Sequence, residues 1–276
     1  MKQISLLLSI VFALFVGFTA CDSTGSDGGT GTMEIVMTDA PANYDSVNVT
    51  INSVRVHKKT DADTDSTESD DEAEEDGWIT ITDEQMKVNL LELTNGNQVM
   101  LGSEELKAGN YSQVRFILGD DNTVTVDGQT HSLQTPSAQQ SGLKLNVNAE
   151  VEENTTYTLL IDFDAARSIV RKGNGGYLLK PVLRAVNLAE TGSISGNVQP
   201  TDFNTHVLAI TDEDTIGSTI TAENGDFKIM GLTEGTYNVA FDPDSDQYAD
   251  STVTDVEVTA GEETVVDDMQ LKEKTN

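Results

Sequence analysis

Cys21 is the only cysteine in the chain, so no disulfide can staple any part of it. The 255 residues that follow must hold together on hydrophobic cores, with or without bound ions. Cys21 also closes an N-terminal apolar segment. Lys2 gives a positive start, Ile4 to Phe18 is an almost uninterrupted apolar run, and Thr19 and Ala20 put small residues before the thiol. A run of about fifteen apolar residues is short for a bilayer span, so it reads as a cleaved export signal, residues 1–20. An ordinary signal with a free thiol and an uncleaved anchor are the alternatives. No later segment is apolar enough to cross a membrane.

Residues 21–31 are rich in Gly, Ser, Thr and Asp and have no large apolar side chain, which describes a flexible tether. From Thr32 the pattern becomes β. Val47, Val49 and Ile51 alternate with polar residues, and Val54 and Val56 continue on the other parity, which predicts a bulge near Asn52 and Ser53. Further strands are expected at Trp78–Thr82, Tyr111–Leu118, Thr123–Val126, Leu143–Val147, Thr155–Phe163 and Tyr177–Val186. Asp127-Gly128 is a hairpin signal. Asp162, Asp164, Ala165, Ala166 and Ile169 fit a two-turn helix capped by an Asp and stopped at Gly173. Thr191-Gly192 reads as a boundary, after which short strands and regular turns predict a small β-sandwich over 191–272. The expected fold is therefore all-β: two sandwich-like domains in tandem, with one short helix in the first, which spans 32–190.

The chain carries 47 acidic against 16 basic residues, a net charge of −31. Such a surface repels nucleic acid and anionic lipid headgroups. Adaptation to high salt and specific cation binding both explain the acidity, and the spread of acids through both halves favours the former. In the stretch 61–76, ten of sixteen residues are Asp or Glu, so it reads as a solvated loop or disordered excursion between two strands.

The N-terminal segment resembles a bacterial lipoprotein signal, which implies that Cys21 is the lipid attachment site and the first residue of the mature chain. Several acyl chains there would give firm anchorage, at about 0.8 kcal/mol per buried methylene. Two further resemblances follow from ordered blocks. MTDAP (Met37–Pro41), VTINSVRVH (Val49–His57), Gly77-Trp78, VNLLEL (Val88–Leu93), LKAGNYSQVRF (Leu106–Phe116), SGLKL (Ser141–Leu145), LLIDFDAARSIV (Leu159–Val170) and GGYLLKPVLRAV (Gly175–Val186) together resemble the DUF4382 family of exported bacterial domains. GSISGNV (Gly192–Val198), GDFKIMGLTEGTYNVAF (Gly225–Phe241) and VEVTAGEETVVD (Val256–Asp267) resemble the carboxypeptidase regulatory-like domain, a transthyretin-like sandwich grouped with carbohydrate-binding-like folds. That second resemblance implies a spacer or accessory module.

The chemistry-bearing residues are sparse. His57, His131 and His206 sit in separate blocks, with no HExxH and no cysteine partner, which argues against zinc. No GxSxG turn offers a nucleophile. Carboxylate pairs for glycoside hydrolysis carry little information among so many acids. Asp61, Asp63, Asp65 and Glu72 stand at positions 1, 3, 5 and 12 of a calcium-loop spacing, but Ser66 replaces the turn glycine and no helices flank the loop. Arg167, Arg171, Lys172, Lys180 and Arg184 form a basic stretch, either a patch for an acidic ligand such as an anionic polysaccharide or partners for Asp162, Asp164 and Glu190. Trp78, Tyr111, Tyr177, Tyr237 and Tyr248 are expected in sandwich cores, with sugar stacking the alternative.

The resulting expectation is a non-enzymatic lipoprotein, exported and lipid-anchored in the bacterial cell envelope at the outer membrane. Its expected role is binding or structural, with polysaccharide or another envelope protein as partner, no nucleic acid, and no cofactor unless calcium. A calcium-stabilised adhesion module and a polysaccharide or peptide hydrolase are the rival readings.

Overall fold

A computed structural model describes residues 29–59, 77–135, 142–173, 175–212 and 214–274. The first domain contains β1 (Thr30–Ala40), β2 (Ser46–Lys58), β3 (Trp78–Thr82), β4 (Met86–Asn89), β5 (Val99–Lys107) and β6 (Gly109–Leu118). It continues with β7 (Thr123–Val126), β8 (Gln129–Gln134), β9 (Leu143–Val151), β10 (Thr156–Asp164), α1 (Ala165–Ser168), β11 (Ile169–Arg171), β12 (Tyr177–Leu179) and β13 (Leu183–Asn187). The second contains β14 (Thr191–Gln199), β15 (Thr205–Thr211), β16 (Asp214–Ile220), β17 (Asp226–Thr233), β18 (Gly235–Pro243), β19 (Ser251–Val258), β20 (Glu263–Val265) and β21 (Met269–Gln270).

Alternation builds the first sandwich. Met33, Ile35 and Met37 on β1 and Leu159, Ile161 and Phe163 on β10 point into one core, and the two strands run parallel at the centre of a sheet ordered β13-β10-β1-β5. The opposing sheet has nine strands, in the path β11-β12-β8-β7-β2-β6-β9 with β3 and β4 also paired to β2. β2 is its spine. Val47, Val49 and Ile51 face the core, the ladder to β6 slips between Ile51 and Ser53, and Val54 and Val56 then face the core as well. The bulge expected there is present, and its extra residue restores the inward phase. Asp127 (φ 50°) and Gly128 (φ 74°) form the β7–β8 hairpin with both central residues left-handed, as a two-residue turn of this type demands.

Two local expectations need correction. The helix after Asp164 lasts four residues, and Ile169 already belongs to β11. Asp164 does cap it, its Oδ1 accepting from Arg167 N–H at 2.8 Å. Tyr177–Val186 is two strands rather than one. Pro181 has no N–H to continue a ladder, so the chain leaves the nine-stranded sheet after Leu179 and enters the four-stranded sheet at Leu183. Ser168 pins this corner. Its carbonyl accepts from Lys180 N–H at 2.8 Å, and its Oγ accepts from Val182 N–H at 2.8 Å.

The Gly-rich segment is already ordered at its end. Gly29 N–H donates to Glu153 Oε1 at 2.7 Å, and a Cβ on Gly31 would run into the carbonyl oxygen of Glu152. Among the described residues no helix is long and apolar enough to cross a membrane.

The second sandwich packs β17-β14-β20, with β21 added to β14, against β16-β15-β18-β19. Its core holds Ile194, Val207, Phe227, Tyr237, Val239, Phe241 and Val256, with Phe227 and Phe241 edge to face at 5.6 Å. Val36 and Leu160 are buried yet belong to neither core. They lie on the outer side of the β1/β10 sheet, where the second domain covers Leu160: a Cβ on Gly231 would stand 2.9 Å from Leu160 Cδ2. Asn95, left-handed at φ 58°, completes the junction. Its N–H donates to Thr219 Oγ1 at 2.8 Å, its Oδ1 accepts from Lys228 N–H at 2.6 Å, and its Nδ2 donates to the carbonyl of Asp226 at 3.2 Å. Asn95 thus caps the free edge of β17 in place of another strand.

Candidate functional site

Cross-strand register decides which side chains share a face. Arg55 on β2 lies opposite Arg115 on β6, and Arg115 lies opposite Lys144 on β9. On the other flank of β2, Arg55 faces Thr80 and His57 faces Trp78, both on β3. Val54, Val56, Val114, Phe116, Leu143 and Leu145 have the opposite parity and face the core. The row Thr80–Arg55–Arg115–Lys144 therefore stands on the outer face of the large sheet. In a chain with 16 basic and 47 acidic residues, three cations occupy adjacent positions across three strands.

Trp78 is half-buried against this row and belongs to neither core. The Arg115 guanidinium carbon sits 4.1 Å from the Trp78 ring centroid, and the His57 ring lies 5.1 Å away, tilted by 58°. A cation over an indole contributes about 0.5–1 kcal/mol when exposed and about 2 when desolvated; Arg115 is 7% exposed, so the upper figure applies. Two glycines make room for this packing. A Cβ on Gly142 would stand 2.9 Å from Arg115 Cγ, and one on Gly77 would stand 2.9 Å from His57 Nε2. Polar side chains complete the face: Ser112 Oγ is 3.4 Å from His57 Nδ1, and Gln113 Nε2 donates to Asn146 Oδ1 at 3.1 Å. Arg55 Nε is enclosed and has no hydrogen-bond partner among the described residues.

A second polar group lies where β1 and β10 end. Asp39 continues the inward parity of Met33, Ile35 and Met37 and is 4% exposed. Its Oδ1 accepts from Ala165 N–H at 3.0 Å, and its Oδ2 is buried without a partner among the described residues. Burial pushes its carboxyl up to about 9, with a smaller push from Asp162 and Asp164, against the Ala165 hydrogen bond. Burial also raises Asp162, offset by Arg184, whose Nη2 donates to Asp162 Oδ2 at 2.9 Å. Arg184 Nη1 donates to the carbonyl of Gly231 at 2.8 Å, tying this corner to the second domain. Beside it is an interdomain cleft of ≈ 310 Å³, lined in part by Asp164, Arg167 and Ser218.

Cys21, Asp61, Asp63, Asp65 and Glu72 lie outside the described residues. Among the described residues no group of three or more His, Cys, Asp or Glu is placed to hold a metal ion. The histidines stay apart: His131 stacks on Tyr177 at 5.0 Å, and His206 is on β15. Three side chains of the basic stretch have partners within the first domain. Arg184 pairs with Asp162, Arg167 reaches Asp164 at 3.8 Å, and Lys172 donates to Gln134. Tyr111, Tyr177 and Tyr237 are core residues, and Tyr248 packs against the second core. Trp78 is the aromatic that departs from the core expectation. Sequence reasoning missed the cation row, although its signal was present: Val54-Arg55-Val56 and Val114-Arg115-Phe116 each place an arginine between two inward apolar residues.

Residues 30–181 match the family model described as a domain of unknown function (DUF4382), and residues 193–272 match that of the carboxypeptidase regulatory-like domain. A comparison with curated proteins finds no match. Among solved structures, the chain is similar to an interface mutant of a type II cohesin–X-dockerin complex from Acetivibrio cellulolyticus, at 23% identity over 30% of this chain and 58% of that one, with a TM-score of 0.25. It is also similar to the minor pilin GBS52 of Streptococcus agalactiae (10% identity, 88% and 97% covered, TM-score 0.22). A third similarity is to the TIE protein of Bacillus anthracis (13% identity, 89% and 34% covered, TM-score 0.22). The chain thus spans little more than half the length of the cohesin–dockerin chain it matches.

Proposed function

The chain belongs to the DUF4382 domain family, and on that premise we propose that it is a non-enzymatic binding protein of the bacterial envelope, tethered by lipid at Cys21, whose ligand is carbohydrate. One observation carries the ligand class. The only tryptophan is half-buried on an outer sheet face among His57, Thr80, Gln113 and Asn146, not in a core. An indole edged by hydrogen-bonding side chains offers a sugar ring an apolar surface and its hydroxyls polar partners. The sheet face is broad, which suits a chain of sugars laid across it. The carboxypeptidase regulatory-like domain behind it supports an accessory role, and the Asn95 and Arg184 contacts hold the two bodies together.

The test is retention of the mature protein on envelope polysaccharide, with Trp78→Ala as the paired variant. Trp78 is the sole indole, so its fluorescence reports binding directly. Loss of aromatic contact worth about 1.4 kcal/mol weakens retention about tenfold. No retention of the wild type on any glycan, or equal retention of the variant, ends the reading. Anchorage is checked separately: mass spectrometry finds acyl chains on Cys21, and Cys21→Ser moves the protein to the soluble fraction.

A further inference from the structure

We propose that the cleft between the two domains binds a small zwitterion, a free α-amino acid with an apolar side chain, its carboxylate held by Arg167 and its ammonium by Asp164. The site is separate from the Trp78 face and does not depend on the carbohydrate reading.

The cleft lies between a corner of the first domain and β16 of the second. Ala40, Asp164, Val182 and Leu183 line one side, and Thr215 to Ser218 line the other. Small-molecule sites favour domain interfaces and occupy about 300–1,000 Å³. At ≈ 310 Å³ this cleft suits a small molecule rather than a chain of sugars. The β16 wall is shaped locally. Its ladder to β15 slips, with Ala209 opposite Gly217 and Ile210 opposite Thr215, so Ile216 is the extra residue of a bulge. Bulges recur beside functional sites, where they re-aim a side chain.

The charges form two pairs of unequal tightness. Asp162 and Arg184 are cross-strand partners. Arg184 Nε and Nη2 donate to Asp162 Oδ2 at 3.3 and 2.9 Å, and its Nη1 donates to the carbonyl of Gly231. That pair is committed to the fold and to the domain junction. The second pair is loose. Asp164 Oδ1 accepts from Arg167 N–H, but Oδ2 stands 3.8 Å from Arg167 Nε, beyond hydrogen-bond distance. The Arg167 side chain is 75% exposed, so opening this contact costs little. A ligand carboxylate would give the Arg167 fork two short parallel bonds in its place. A ligand ammonium would donate to Asp164 Oδ2.

Both signs of charge are needed together. A ligand that carries one of them satisfies Arg167 or Asp164 and is opposed by the other. The net charge of −31 acts in the same direction, since it repels a simple anion at long range and leaves a ligand of zero net charge unaffected. Val182, Leu183 and Ile216 offer apolar surface to the ligand's side chain.

The experiment titrates leucine into the mature protein by calorimetry and follows the unfolding midpoint. N-acetylleucine and leucinamide are the probes that lack the ammonium charge and the carboxylate. Salt at about 0.15 M, where the Debye length is about 8 Å, limits the long-range field. Leucine is expected to bind and to raise the midpoint, because it contacts the folded form of both domains. Each singly charged probe binds at least about tenfold more weakly, and Arg167→Gln and Asp164→Asn each weaken leucine about tenfold. Arg167→Lys keeps the charge without the fork and restores part of the binding. Asparagine at 164 retains an oxygen to accept from Arg167 N–H, and the midpoint without leucine shows that each variant is folded. The inference is overturned if leucine gives neither heat nor a shift in midpoint. It is also overturned if a singly charged probe binds as tightly as leucine, or if folded Arg167→Gln and Asp164→Asn both bind leucine like the wild type.

Discussion

Asp39→Asn tests the energetics of the first domain most directly. Asp39 is an acid whose carboxyl is pushed up to about 9 in the fold, against 3.8 in the unfolded chain. Between those values it is protonated when folded and ionised when unfolded. The folded state binds the extra proton, so stability is fully present below the unfolded value and is lost as pH rises toward the folded one. The slope for one group is about 1.4 kcal/mol per pH unit. From about pH 5 to about pH 8 the wild type therefore loses about 4 kcal/mol through this residue, an upper figure because water reaching Asp39 would shrink the shift. Asparagine is neutral throughout and keeps an oxygen to accept from Ala165 N–H. Its absolute effect depends on how Nδ2 is received where Oδ2 has no partner, so the quantity to read is the change in the gap. Urea melts of wild type and Asp39→Asn at both pH values should show the variant gaining on the wild type by up to about 4 kcal/mol at the higher pH. A gap that stays constant refutes the argument, because Asp39 would then titrate alike in both states.

Asn95→Ala removes two side-chain hydrogen bonds to β17 and places alanine at φ 58°, so it should cost about 1–3 kcal/mol and make the two domains melt in separate calorimetric steps. Gly231→Val should do the same by steric means, since its Cβ meets Leu160 and its φ is 69°; a single unshifted transition would show that this contact does not couple the domains. Lys228→Met breaks an ion pair with Glu263 whose side chains are 34% and 45% exposed, and its effect on the melting midpoint should stay below that of about 1 kcal/mol. The same variant should return the Glu263 carboxyl, held below its usual range by hydrogen bonds from Lys228 and Ser195, most of the way to normal by NMR titration.

Strand content, the bulge in β2 and the Asp127-Gly128 hairpin were legible because each rests on neighbours in the chain. Alternation has a period of two, a phase slip shows as adjacent apolar residues, and a left-handed turn needs Asn, Asp or Gly. The single run over Tyr177–Val186 misled because apolar content does not record which sheet a strand joins; Pro181 marked the break. The helix misled because Ala165 and Ala166 carry helix propensity but the tertiary pairing of β11 with β12 takes the residues from Ile169 onward. Trp78 misled for a related reason: composition favours a buried indole, while register set it opposite His57 and beneath Arg115.

The linear order of residues determined an all-β chain, because side-chain period and turn chemistry are properties of neighbours. Its single cysteine likewise ruled out any internal disulfide before any fold was known. Only the three-dimensional pairing decided that Arg55, Arg115 and Lys144, far apart in the chain, stand side by side, and that Leu160 is covered by Gly231 of the other domain. Such meetings depend on strand order and on which face each sheet turns outward, and no local pattern encodes either.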